Sequence, residues 1–134
     1  MAMGHTIKLA ALGAVAFMVL DGVWLGLLMK NFYRDQLAPI VRLADGGIAP
    51  NWPAAFVVYA LLGTGIAVFV MPRASTVPLA AAYGALFGLV VYGVYDFTNY
   101  STLRQWPFVL AMADVAWGAV ASAACASAVQ IAGR

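Results

Sequence analysis

The chain reads as an all-α bundle of four transmembrane helices, and three observations lead there. Of its 134 residues, 65% are hydrophobic and only 9% charged, against roughly 25% charged in an average soluble domain, so polar surface is too scarce to coat a water-soluble globule. Four apolar runs each approach the ~20 residues needed to cross a bilayer. These runs are separated by segments holding most of the charges. At this length a single membrane domain over residues 1–134 is expected, with the lipid bilayer as its partner.

The spans are expected at about 7–29, 53–71, 77–99 and 107–129. The first is too long for a signal-peptide core, contains Asp21, and runs into the polar Lys30–Asp35 segment, so it reads as a retained helix. An even number of spans puts both termini on one side, here side A, together with the Met71-Pro72-Arg73 turn. Side B then holds the Lys30–Trp52 loop and the Ser101–Gln105 turn. Lys8, Arg73 and Arg134 on side A oppose Lys30, Arg34, Arg42 and Arg104 on side B. That balance is too even for the positive-inside rule to choose an orientation, and it leaves dual topology open.

Within the side-B loop, Phe32, Tyr33, Leu37, Ile40 and Val41 alternate with charged residues in a helical pattern. This segment is expected to extend helix 1 or to lie along the interface until Pro39 interrupts it. Asp45-Gly46-Gly47 then makes a turn. Asn51-Trp52-Pro53 opens span 2 and Gln105-Trp106-Pro107 opens span 4, each with Trp at headgroup depth and Pro at the first helical position. The echo fits two tandem hairpins, and equally a recurrent interfacial helix start.

The remaining charges carry the chemistry. All five acidic residues are Asp, and Asp21, Asp96 and Asp114 fall inside spans, where an ionised carboxylate at mid-helix costs roughly 2.5–3.5 kcal/mol. With a rise of about 1.5 Å per residue, Asp21 lies roughly 4–5 Å from mid-span toward side B, Asp114 about 6 Å and Asp96 about 12 Å. All three share one half of the membrane. On span 3, Tyr92, Asp96 and Asn99 form one stripe flanked by Tyr95, and the stripe continues through Gly88, Gly84 and Ala80, a small-residue series that permits close helix approach. Spans 1 and 4 repeat an Asp-x-x-Trp unit, Asp21 with Trp24 and Asp114 with Trp117, next to Gly22-x-x-x-Gly26 and Gly118-x-x-x-Ser122.

These features predict one pocket of Asp21, Trp24, Tyr92, Tyr95, Asp96, Asn99, Asp114 and Trp117, opening to side B, with Lys30 and Arg104 at its mouth as counter-charges. Span 3 is expected between spans 1 and 4, and carboxylates brought together there would share a proton at neutral pH. Alternatively each Asp merely ties helices together, although membrane hydrogen bonds average only about 0.6 kcal/mol.

Other chemistries have little support. One histidine, His5, and one cysteine, Cys125, give no zinc, haem or di-iron ligand set, so neither a metal nor another cofactor is expected. Cys125, in an apolar stretch, reads as a packing residue. No lysine lies in the apolar core of a span, which excludes a retinal-type Schiff base. A net charge of +2 without a basic run gives no nucleic-acid footprint.

The run Tyr92-Gly93-Val94-Tyr95-Asp96-Phe97-Thr98-Asn99, followed by Leu103, Trp106-Pro107 and Asp114-Val115-Ala116-Trp117-Gly118, resembles the DUF2177 family of small bacterial membrane proteins. Asp21-x-x-Trp24-Leu25 and Phe32-Tyr33-Arg34 resemble it too. The resemblance spans nearly the whole chain and implies a multi-pass protein of the bacterial inner membrane, with no catalytic residues to carry over.

Three functions remain in competition. The first is a small transporter or binding bundle whose carboxylates receive a proton or a cationic or hydroxylated ligand. In size and in its helix-1 acid it is similar to the small multidrug-resistance transporters, which carry Glu rather than three Asp. The second is a membrane enzyme acting on a lipid or isoprenoid, with Asp21 and Asp114 as general acid and base; no nucleophile–base pair or phosphate-binding glycine loop accompanies them. The third is an accessory subunit of a larger membrane complex. A homo-oligomer is compatible with any of these.

Overall fold

The computed structural model describes residues 2–45 and 47–133. Four long helices dominate it: α1 (Met3–Leu28), α3 (Trp52–Arg73), α4 (Val77–Thr102) and α5 (Phe108–Gly133), each long and apolar enough to cross a membrane. A short helix, α2 (Lys30–Leu37), and a minimal hairpin of β1 (Leu43–Ala44) and β2 (Gly47–Ile48) join α1 to α3. The four apolar runs become the four long helices, with ends that differ from expectation by at most four residues.

Local chemistry accounts for the helix starts. The Asn51 side chain accepts from the Ala54 amide at 3.3 Å, and Thr76 accepts from Leu79 at 3.3 Å, each filling one of the unpaired donors of a first turn. Proline follows both caps in the first turn, where its missing N–H leaves nothing unsatisfied. Toward its C-terminal end α1 widens into π turns over Trp24–Leu28, and Met29 (φ −120°, ψ 17°) breaks the chain direction before α2. The first-loop segment is therefore helical, as its periodicity predicts, but it turns back over the bundle. Tyr33 and Leu37, one turn apart, are buried against Leu110. Leu43 pairs with Ile48 and Ala44 with Gly47, and Asp45 adopts the left-handed region with φ 51°, a conformation Asp tolerates better than most residues. Gly46 of the expected turn and Arg134 lie outside the described residues.

Small residues set the packing order. Gly13 and Gly63 bring α1 and α3 together so closely that a Cβ on Gly63 would meet the backbone of Ala10 and Ala14. α1 also meets α5, where the Cys125 Sγ donates to the Gly13 carbonyl at 3.3 Å. The far face of α5 takes α4: a Cβ on Gly84 would lie 2.6 Å from the Ser122 carbonyl oxygen, and one on Gly88 would strike Gly118 and Ser122. The spatial order of neighbours is thus α3, α1, α5, α4. This corrects the expected placement of span 3 between spans 1 and 4: α5, not α4, is the shared neighbour. Small residues line two faces of α5, Ala121, Cys125 and Val129 inside the core and Gly118 and Ser122 against α4.

The bundle closes differently at its two ends. Gly133 packs against Leu9 and Leu12, so α5 finishes where α1 starts. At this end α4 also meets the last turns of α3, beginning where Gly65 faces the Phe87 ring. Toward the other end α3 and α4 scarcely touch. The Gly22-x-x-x-Gly26 pair, expected at a helix contact, also differs from expectation, because a Cβ on either glycine would meet nothing within 4 Å. Gly63→Ala is accordingly expected to push α1 from α3 and to destabilise the protein by about 1–3 kcal/mol, whereas Gly22→Ala leaves the melting temperature in detergent unchanged or slightly raised. Thermal melts of the two variants check both expectations.

Candidate functional site

The two Asp-x-x-Trp units exchange partners across the α1–α5 contact. The Trp117 indole of α5 donates from Nε1 to Oδ1 of Asp21 on α1 at 2.9 Å. In return, the Trp24 indole of α1 donates to the Tyr33 hydroxyl at 3.0 Å, and that hydroxyl donates to Oδ1 of Asp114 on α5 at 2.8 Å. The two indoles stack between these pairs with ring centroids 4.4 Å apart and an interplanar angle of 1°. One assembly therefore runs from Asp21 through Trp117, Trp24 and Tyr33 to Asp114. Hydrogen bonds inside a membrane average about 0.6 kcal/mol each and aromatic pairs contribute about 0.5–1.5 kcal/mol, so the assembly helps hold α2 onto the bundle as well as joining α1 to α5. Burial, with the Asp114 charge second, pushes the Tyr33 phenol well above its ordinary range. Tyr33 thus remains a neutral donor and acceptor at physiological pH.

Span α4 adds the third acid and two phenols. Asp96 is fully buried, and neither carboxyl oxygen has a hydrogen-bond partner among the described residues. The polar groups facing it are Asp114 and the Trp106 indole, whose Nε1 is itself buried and unpartnered. Tyr92 lies on Gly118 so closely that a Cβ there would overlap its ring. Tyr95 sits edge-on to Trp106 with centroids 5.7 Å apart. The Tyr59 hydroxyl of α3 faces Asp21.

These side chains surround space. A cavity of about 410 Å³ is lined by Asp21, Tyr33, Tyr92, Tyr95, Trp106 and Asp114 together with apolar residues of every helix except the N-terminal half of α1. A second cavity, of about 710 Å³, lies between α1, α3 and the hairpin, with Asp21, Tyr59, Lys30 and Asp45 among its lining residues. Asp21 borders both. Volumes in this range match small-molecule sites.

Among the residues expected in the pocket, Asp21, Tyr92, Tyr95 and Asp114 line the smaller cavity, and Trp24 and Trp117 form the stack behind it. Asp96 stands beside Asp114 without lining the cavity. Asn99 lies a turn farther along, next to the Tyr95 hydroxyl and outside both linings. Lys30 borders the larger cavity, and Arg104, exposed on the α4–α5 turn, borders neither. Among the described residues neither cation pairs with an intramembrane carboxylate; on α2, Arg34 pairs with Asp35 at 3.1 Å. The Trp-Pro echo also divides: Trp52 is exposed beside Phe56, while Trp106 turns inward onto Tyr95.

Three residues of the site were not anticipated there: Tyr59, Tyr33 and Trp106, the last read from the sequence as a headgroup-depth anchor opening span 4. Tyr59 sits three residues from the middle of span 2, about 4.5 Å toward side B, the same depth as Asp21, so depth arithmetic applied to span 2 would have found it. Tyr33 was signalled by its i, i+4 spacing to Leu37, an inward face on a helix otherwise read as interfacial.

Compared with known proteins, residues 6–131 match a family model described as a predicted membrane protein. No curated protein and no solved structure matches the chain.

Proposed function

The chain belongs to the DUF2177 family of predicted membrane proteins, and from the acidic, aromatic-walled cavity inside its bundle we propose that this multi-pass protein binds a cationic or proton-donating group as a small transporter or ligand-capture protein. The observation that carries this reading is the charge balance of the site. Asp21, Asp96 and Asp114, from three different helices, gather at one end of the bundle without a paired lysine or arginine among the described residues. Internal hydrogen bonds averaging about 0.6 kcal/mol in membranes do not offset carboxylates costing about 2.5–3.5 kcal/mol each; a bound cation or proton does. The surrounding rings of Tyr33, Tyr92, Tyr95 and Trp106 add cation–π attraction, worth about 0.5–2 kcal/mol when desolvated.

Titration of the detergent-purified protein with tetramethylammonium, followed by tryptophan fluorescence, tests the reading. Saturable binding weakened at least tenfold by Asp114→Asn is expected, and affinity unchanged by that substitution contradicts it.

In the bacterial inner membrane, both termini are assigned to one side and the α2–hairpin segment to the other. Maleimide labelling of Asp45→Cys in a Cys125→Ala background is expected to report the side opposite an N-terminal tag. A uniform population with both on the same side contradicts the topology.

A further inference from the structure

The smaller cavity is covered on one side and open on another. Its end facing side B is roofed by Tyr33 and Leu37 of α2, by Val41 and by Ile48 of the hairpin. Its lateral side lies between α3 and α4, which meet from Gly65 and Phe87 toward side A and scarcely touch beyond them. Val58 on α3 and Tyr95 on α4 flank this gap, 50% and 55% exposed although both line the cavity. Such a gap in a spanning bundle faces hydrocarbon rather than water. The cavity is also polarised. Asp21 and Asp114 stand on the α1–α5 side, and Val58, Leu62 and Val91 stand along the gap.

We propose that the cavity takes the head of a single-chain cationic amphiphile that enters from the bilayer between α3 and α4, its ammonium held by Asp21 and Asp114 and its alkyl chain leaving past Val58 and Val91. This rests on the cation-binding reading above and adds the ligand class and the route. The 410 Å³ volume holds a small head and the first part of a chain but not a whole lipid, so the remainder must leave by the open side. Tyr33, Leu37 and Val41 cover the cavity's side-B end, Asp21, Leu25, Ile48 and Val58 are shared with the larger cavity beside the hairpin, and the gap's apolar walls favour alkyl over polar substituents, so the alkyl chain belongs in the gap.

Isothermal titration in maltoside micelles compares dodecyltrimethylammonium, octyltrimethylammonium, tetramethylammonium and neutral dodecanol on the wild type, on Val58→Trp and on Leu61→Trp. Leu61, on the same helix but 66% exposed and outside both cavities, controls for an added indole on the lipid face. The expected result is affinity rising at least tenfold from tetramethylammonium to the dodecyl compound through the octyl one, at least tenfold weaker dodecyl binding in Val58→Trp, and no change in Leu61→Trp. The chain-length series needs no variant, so it decides even if Val58→Trp fails to fold. Tetramethylammonium binding as tightly as the dodecyl compound overturns the lipid route and leaves the cation-binding reading intact. Dodecanol binding as tightly as its ammonium counterpart, or no saturable binding by any ammonium, overturns both.

Discussion

Gly88→Leu is expected to produce the largest loss of stability of any single change in the helix-packing surface. A Cβ at Gly88 would already strike the Gly118 carbonyl, and the Ser122 hydroxyl oxygen would lie 2.5 Å away. The obstacle on α5 is therefore partly backbone, which cannot swing aside as a flexible side chain can. Overpacking costs typically 1–3 kcal/mol, and a leucine must also displace α4 along the face that carries Gly84, Tyr92 and Asp96. A loss of about 3 kcal/mol or more, a drop on the order of 10 °C in apparent melting temperature, is predicted. Gly93→Leu is the matched control, because a Cβ at Gly93 meets nothing within 4 Å. Equal melting of the two variants would place the glycine face against lipid rather than against α5.

Tyr33→Phe is expected to give the largest effect at the site while removing only one heavy atom. The phenolic oxygen accepts from Trp24 and donates to Asp114, so its removal leaves a part-buried indole N–H and a carboxylate oxygen without that partner. Leaving such groups unsatisfied costs about 1–3 kcal/mol each. Because Tyr33 also ties α2 to the bundle, the loss appears first as local opening rather than global unfolding. Trypsin cleavage after Arg34 in detergent is predicted to accelerate about tenfold or more, while thermal stability of the four long helices falls much less. Unchanged cleavage would show that Leu37 and its apolar neighbours hold α2 alone.

The extent to which these features were legible follows from what each one depends on. The long helices and the glycine stripe of α4 are properties of one segment at a time, and hydropathy with 3.6-residue periodicity reads them directly. Neighbour order depends on comparing faces between segments. In lipid the outward and inward faces are both apolar, so the stripe that identifies the inner side of a soluble helix is missing. The readable cue was small residues on two faces of α5, at Gly118 and Ser122 and again at Ala121 and Cys125. The polar stripe of α4, Tyr92, Asp96 and Asn99, instead drew attention to the wrong helix as the centre. At the site, the Asp-x-x-Trp repeat was visible as a repeat, but its exchange of partners was not. Spacing puts Trp24 one turn from Asp21, yet the indole of Trp117 reaches that acid and Trp24 turns to Tyr33. The roof was hidden for a different reason, since whether Tyr33 faces solvent or core depends on the break at Met29, and π turns leave no mark in a hydrophobic pattern.

The claim on which the account depends is that Asp21 and Asp114, 93 positions apart in the chain, serve one ligand. A double-substitution cycle tests it most directly, with dodecyltrimethylammonium affinity measured for the wild type, Asp21→Asn, Asp114→Asn and the combined variant. Each single change is expected to weaken binding at least tenfold. In one shared site the second change costs much less once the first is made, giving a coupling on the order of 1 kcal/mol or more. Losses that add to within about 0.3–0.5 kcal/mol would show two independent carboxylates and contradict a single site.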